Sequence, residues 1–180
     1  MKKCLLALSA VAALVMAGTV YAVPASDGAT ITVRGLVTGG TCDIKVNNGA
    51  EIGLDDAQKA DFTANDTIIH EQPFNIDILN CATGTVGDNI TFIQDSTLVD
   101  ISTGYLLNKQ GRDGAKGVEI ALKNGSTVMK LNTVQSIDYT LDATTLSAQI
   151  PLKAGYIASD ITAITTGPVL SRVQFMVNYS

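Results

Sequence analysis

The chain offers few side chains that could do chemistry, and their spacing narrows the choice. Cys42 and Cys81, 39 positions apart, could in principle form a metal site, a nucleophile or a disulfide. A metal site of the usual kind needs several nitrogen or sulfur ligands, and the whole sequence holds one histidine, His70. A hydrolytic triad needs a base beside an activated nucleophile. No Gly-x-Ser-x-Gly turn accompanies His70, which reads as an ordinary loop or surface histidine. Asp55 and Asp56 are adjacent, and adjacent strand residues point to opposite faces, which suits solvated loop acids better than an acid/base pair. The stretch GRDGAKG at 111–117 lacks the Gly-Lys-Ser/Thr ending of a phosphate cradle and reads as a strand connection. No catalytic, cofactor-binding or metal site can be assembled, so the residues describe a binding or structural protein, not an enzyme.

The first 22 residues explain what the cysteines do instead. MKK is a positively charged start, 5–16 is an apolar run, and VYA at 20–22 is a small-x-small cleavage site, the pattern of a secretory signal peptide. The run is shorter than the roughly 20 residues a membrane-spanning helix needs. Cys4 leaves with the signal, and two cysteines remain in a chain bound for an oxidising compartment. A Cys42–Cys81 disulfide is expected, worth about 4 kcal/mol in the chain-entropy model. Loss of Lys2 and Lys3 leaves ten basic residues against seventeen acidic ones, a net charge of −7. An acidic chain without basic clusters is not built for nucleic acid or anionic lipid.

The elements that must position any site are strands. Apolar and polar residues alternate at 31–37 and 74–78. Further candidate strands are 89–94, 117–122, 127–131, 136–141, 148–154 and 169–179. Asn47-Asn48-Gly49 and Asn124-Gly125 are turn signals, the second joining 118–122 to 127–131 as a hairpin. A short helical turn could sit within 55–66. One all-β domain, a sandwich, follows from this pattern. Both terminal strands are long and alternating. Ile31, Val33, Gly35 and Val37 form one apolar row, and Val173, Phe175, Val177 and Tyr179 form another. The first is equally consistent with a plain first strand and with an arm donated to another molecule.

Several stretches together resemble the pilin subunits of Gram-negative fimbriae assembled by the chaperone-usher pathway, close to the type 1 and F17-like pilins. They are ITVRGLV at 31–37 with Cys42 soon after, PFNIDILNC at 73–81, GVEIAL at 117–122, AGYIA at 154–158 and TGP at 166–168. Gly167 is fourteenth from the C-terminus and Tyr179 is penultimate, the spacing of pilins recognised by their chaperone. Gly155, where a bulkier or charged residue is common, and Ser180, where glutamine is frequent, leave the subtype open.

The resemblance implies an incomplete immunoglobulin-like β-sandwich lacking its last strand and completed by a donated one. It divides the chain into a signal peptide at 1–22, an N-terminal donor-strand extension at 23–40 and a pilin domain at 41–180. Ile31, Val33, Gly35 and Val37 are then the donor face. Gly167, Val173, Phe175, Val177 and Tyr179 belong to the acceptor groove and chaperone recognition. The implied partners are a periplasmic pilus chaperone, an outer-membrane usher and other pilin subunits in a head-to-tail polymer, with no cofactor. The implied role is a shaft subunit of a surface fimbria that supports adhesion. The alternative is a minor tip, adaptor or adhesive subunit, with a host glycan or protein receptor as its partner. A two-domain tip adhesin would need a further lectin domain beyond the mature residues. A free-standing secreted lectin is the reading outside the fimbrial class.

Overall fold

The computed structural model describes residues 42–180, and the signal peptide and the donor row Ile31, Val33, Gly35 and Val37 lie outside the described residues. Eight strands follow in order: β1 (Asp43–Val46), β2 (Ile69–Leu79), β3 (Gly87–Phe92), β4 (Glu119–Asn124), β5 (Thr127–Val128), β6 (Gln135–Asp138), β7 (Ala148–Ile157) and β8 (Phe175–Tyr179). They form a five-stranded sheet of order β1-β2-β7-β4-β5 and a three-stranded sheet of order β6-β3-β8, every pairing antiparallel.

Alternation decides which faces meet. Phe74, Ile76 and Ile78 of β2, Ile120 and Leu122 of β4, and Ile150, Leu152 and Ala154 of β7 cover one inner face; Ile90 and Phe92 of β3 cover the other. Prolines stand where a ladder can spare an N–H. β1 ends at Val46 opposite Ile76, and the β4–β7 pairing ends at Lys123 opposite Lys153. Pro73 and Pro151 therefore sit at points where their strand has one neighbour.

The expected disulfide is present and joins Cys42, just before β1, to Cys81, just after β2. It closes the end of a pair that begins at Asp43 opposite Leu79, where Asn80 Nδ2 also donates to Asp43 Oδ2 at 2.9 Å. The hairpin between β4 and β5 forms as expected, with a difference in its turn. Asn124 pairs with Thr127, so the loop is Gly125-Ser126, and Gly125 alone supplies the positive φ of 60°. The helical turn expected within 55–66 is one 3₁₀ turn, Lys59–Asp61, closed by reciprocal bonds between Gln58 and Asp61.

One expectation meets a larger departure. The stretch 169–179 reads as one strand, yet ladder pairing is confined to β8 (Phe175–Tyr179), extended before it only by the bond from Ile93 N to Gln174 O at 2.9 Å and after it by the bonds that Ser180 exchanges with Val86. The residues before it are held by a loop instead. Lys109 N donates to Leu170 O at 2.6 Å and Ala115 N to Pro168 O at 3.0 Å. Asn108 takes both sides, its Oδ1 accepting from Leu170 N at 3.0 Å and its Nδ2 donating to Pro168 O at 3.1 Å.

Candidate functional site

The end of the chain and a segment after β1 leave the sandwich open between them. A cleft of about 430 Å³ has Val46, Ile52 and Leu54 on one wall and Val169, Val173 and Phe175 on the other. Its floor is the core itself: Phe74, Ile76, Ile120 and Leu122 from the five-stranded sheet and Phe92 from the three-stranded one. Past Val169 and Tyr156 a second hollow, about 530 Å³ and more polar, reaches Asp56, Phe62, Thr166 and Gly167.

The backbone at this cleft is as telling as the side chains. β8 has β3 as its hydrogen-bonded neighbour on one side and no strand on the other among the described residues. Backbone groups of an antiparallel strand alternate in direction. Because the Gln174 carbonyl accepts from Ile93, the residue that follows β3, the backbone groups of Val173, Phe175 and Val177 turn to the open edge. A strand edge without a neighbour beside an apolar cleft is a template for another strand.

Each residue singled out in the sequence has a defined place here. Val173, Phe175, Val177 and Tyr179 are all partly buried and alternate with exposed Arg172, Gln174 and Met176. Val173 and Phe175 line the cleft, and Phe175 packs on Phe92 with ring centroids 6.0 Å apart. Val177 and Tyr179 pair with β3 instead, opposite Ile90 and Gly87. Gly167 lies in the second hollow, where a Cβ would meet Asp113 O at 2.5 Å and Ala115 N at 2.6 Å. Its φ of 153° and the close backbone crossing both require glycine.

Sequence reasoning missed the first wall. Ile52 and Leu54 alternate with exposed Glu51 and Gly53, but over only four residues interrupted by a glycine. It also missed β1, which is short and mostly exposed, and Asn108, whose role depends on a contact 60 or more positions away.

The remaining polar groups act as clamps. His70 sits at a bulge of β2 with φ 50°, its Nε2 3.1 Å from Asp61 Oδ2 and its ring edge-on to Tyr156. The Gln58 backbone N–H, helped by His70, holds the Asp61 carboxyl below its ordinary value. Asp55 accepts from Gln72 Nε2 at 2.7 Å. Lys123 and Lys153, opposite each other on β4 and β7, share Glu71, whose carboxyl is lowered first by the Lys123 hydrogen bond. Among the described residues no group of three or more His, Cys, Asp or Glu side chains could hold a metal ion.

Two antiparallel sheets around an open apolar edge define an immunoglobulin-like sandwich short of one strand. Comparison with known proteins agrees. The fimbrial protein family model matches residues 30–180. The major fimbrial subunit SMF-1 of Stenotrophomonas maltophilia is 28% identical over 174 residues, covering 92% of this chain and 99% of that one. The CupB6 tip adhesin of Pseudomonas aeruginosa superposes with a TM-score of 0.58 at 21% identity; the match covers 77% of this chain and 38% of the adhesin. A chaperone-usher pilus structure that addresses rod uncoiling superposes with a TM-score of 0.59 at 17% identity, over 86% of this chain and 97% of that one. The chain belongs to the fimbrial protein family. That is a family of fimbrial structural subunits and not one of enzymes.

Proposed function

We propose that the cleft beside β8 is the seat of a strand donated by another molecule, and that residues 31–37 of this chain are such a strand for a neighbouring copy. The observation that carries this reading is the cleft itself: core residues of both sheets line one apolar groove, bounded by a strand edge whose hydrogen-bonding groups point outward. Ile31, Val33, Gly35 and Val37 supply a matching apolar row at period two. Val173 and Phe175 form the receiving wall, Val177 and Tyr179 continue the strand, and Gly167 stands in the adjoining hollow past Val169.

Donor and acceptor are different surfaces of one chain, so the contact is head-to-tail and builds an open filament. Before assembly a periplasmic chaperone lends a strand of its own to the same groove, and at the outer-membrane usher the arm of the next subunit takes its place. The division into a signal at 1–22, an arm at 23–40 and a pilin domain at 41–180 belongs to this reading. A shaft role in a cell-surface fimbria that supports adhesion is supported by the match to a major fimbrial subunit along nearly its whole length. Deleting residues 23–37 is expected to leave a folded, chaperone-bound subunit that forms no filaments under negative stain. Filaments of ordinary length from that variant would overturn the proposal.

A further inference from the structure

The rims of the cleft carry charge, and the charge selects among the ways a strand can sit in it. The two walls run in opposite directions: Asp56 and Ala57 share the second hollow with Gly167, Pro168 and Val169, while 51–54 share the cleft with 169–173 and Phe175. Glu51 therefore lies toward the Phe175 end of its wall. Arg172 and Gln174 are exposed on the facing wall. Among the described residues neither Glu51 nor Arg172 is engaged in an ion pair.

The arm brings a single charge to this rim, because Arg34 is the one ionisable side chain between Asp27 and Asp43 apart from Cys42, which is in the disulfide. A strand completing an antiparallel sandwich runs antiparallel to β8. With Ile31, Val33, Gly35 and Val37 facing inward, allowed registers differ by steps of two residues. One step sets Arg34 directly opposite Arg172, a like-charge cross-strand pair, which is destabilising. The next sets it opposite Gln174, toward the end of the cleft where Glu51 lies, and a third moves it on to Met176, which does not line the cleft.

We infer, on the strand-donation reading above, that Arg34 of an incoming copy keys the register: it lies opposite Gln174 beside Glu51 and clear of Arg172. In that register Thr32 faces Met176, Leu36 faces Arg172, Val33 faces Phe175 and Gly35 faces Val173. The partner so specified is a second copy of this chain, or any donor strand with a cation at the Arg34 position and an alternating apolar row. A donor with an acid at that position is disfavoured. Because Met176 lies in phase with Gln174, its backbone points to β3, and the Thr32–Met176 pair is of the non-hydrogen-bonded kind. Cα atoms of such pairs are about 4.5 Å apart, within disulfide reach.

The register is tested first with the charged residues untouched. The full chain, secreted with its chaperone, carries Thr32→Cys together with Met176→Cys, Gln174→Cys or Asn178→Cys. Oxidised filaments should give a covalent ladder through the Met176→Cys pair. A ladder through the Gln174→Cys or Asn178→Cys pair, with none through Met176→Cys, overturns the register while leaving strand donation standing. Chains that do not polymerise and cross-link in no combination overturn both. Glu51→Arg and Arg34→Glu should each slow assembly about two- to fivefold, the range of an exposed ion pair. Combining them should recover most of the loss. Losses that add in the double variant overturn the keying role.

Discussion

Glu119 is where a single residue sets a measurable property of the molecule. It lies buried on the outer face of β4, accepts from Thr103 Oγ1 at 3.0 Å, and has its carboxyl raised from an ordinary 4.5, first by desolvation and further by Asp100 and Asp66. Above pH 4.5 the unfolded chain gives up this proton while the folded chain retains it, so stability falls as pH rises from 4.5 through the raised value. Glu119→Gln keeps an oxygen for Thr103 and removes the charge. Its urea midpoint in the chaperone-held chain should exceed the parent's at pH 7, with the gain shrinking toward pH 4.5; equal midpoints at pH 7 would contradict this. Glu71 has the opposite sign. Its lowered carboxyl gives stability that is present above pH 4.5 and lost as pH falls through the lowered value.

At the scale of elements, the two arrangements that shape the cleft differ in how far the sequence reveals them. The row Val173, Phe175, Val177 and Tyr179 is legible because alternation over several residues leaves one consistent face. The Cys42–Cys81 staple is legible because secretion and an even count leave one partner each. The break of the last strand at Gln174 is not, because it is imposed by Asn108 and the 109–115 loop, which no local pattern couples to 168–171. Gly167 is legible as a position but not as a mechanism: the structure shows backbone atoms of Asp113, Gly114 and Ala115 where its Cβ would be. Gly167→Ala should therefore destabilise the chaperone-held chain by about 1–3 kcal/mol, the usual cost of overpacking. Faster hydrogen exchange is expected at 168–171 and at 108–115 together. An unchanged denaturation midpoint would show that this crossing does not constrain the fold.

For the whole molecule, the sequence carries the all-β class and the apolar row of the last strand, while the cleft beside that row emerges only in three dimensions. Its floor draws on β2, β3 and β4, and its first wall on a stretch too short to announce itself. An apolar cleft of this kind is costly to leave in water, since its partly exposed walls and a strand edge face solvent together. On the strand-donation proposal, that cost is what would make capture of an outside strand favourable and link the fold of one subunit to the growth of a filament.

The central claim is that the groove beside β8 accepts the arm of another copy. The most direct measurement takes the 23–37-deleted chain in complex with its chaperone, adds a synthetic peptide of residues 23–40, and follows the complexes by native mass spectrometry. The expected result is one-for-one replacement of chaperone by peptide, abolished when the peptide carries Val33→Asp. Chaperone that stays bound, or equal replacement by the Val33→Asp peptide, would contradict it.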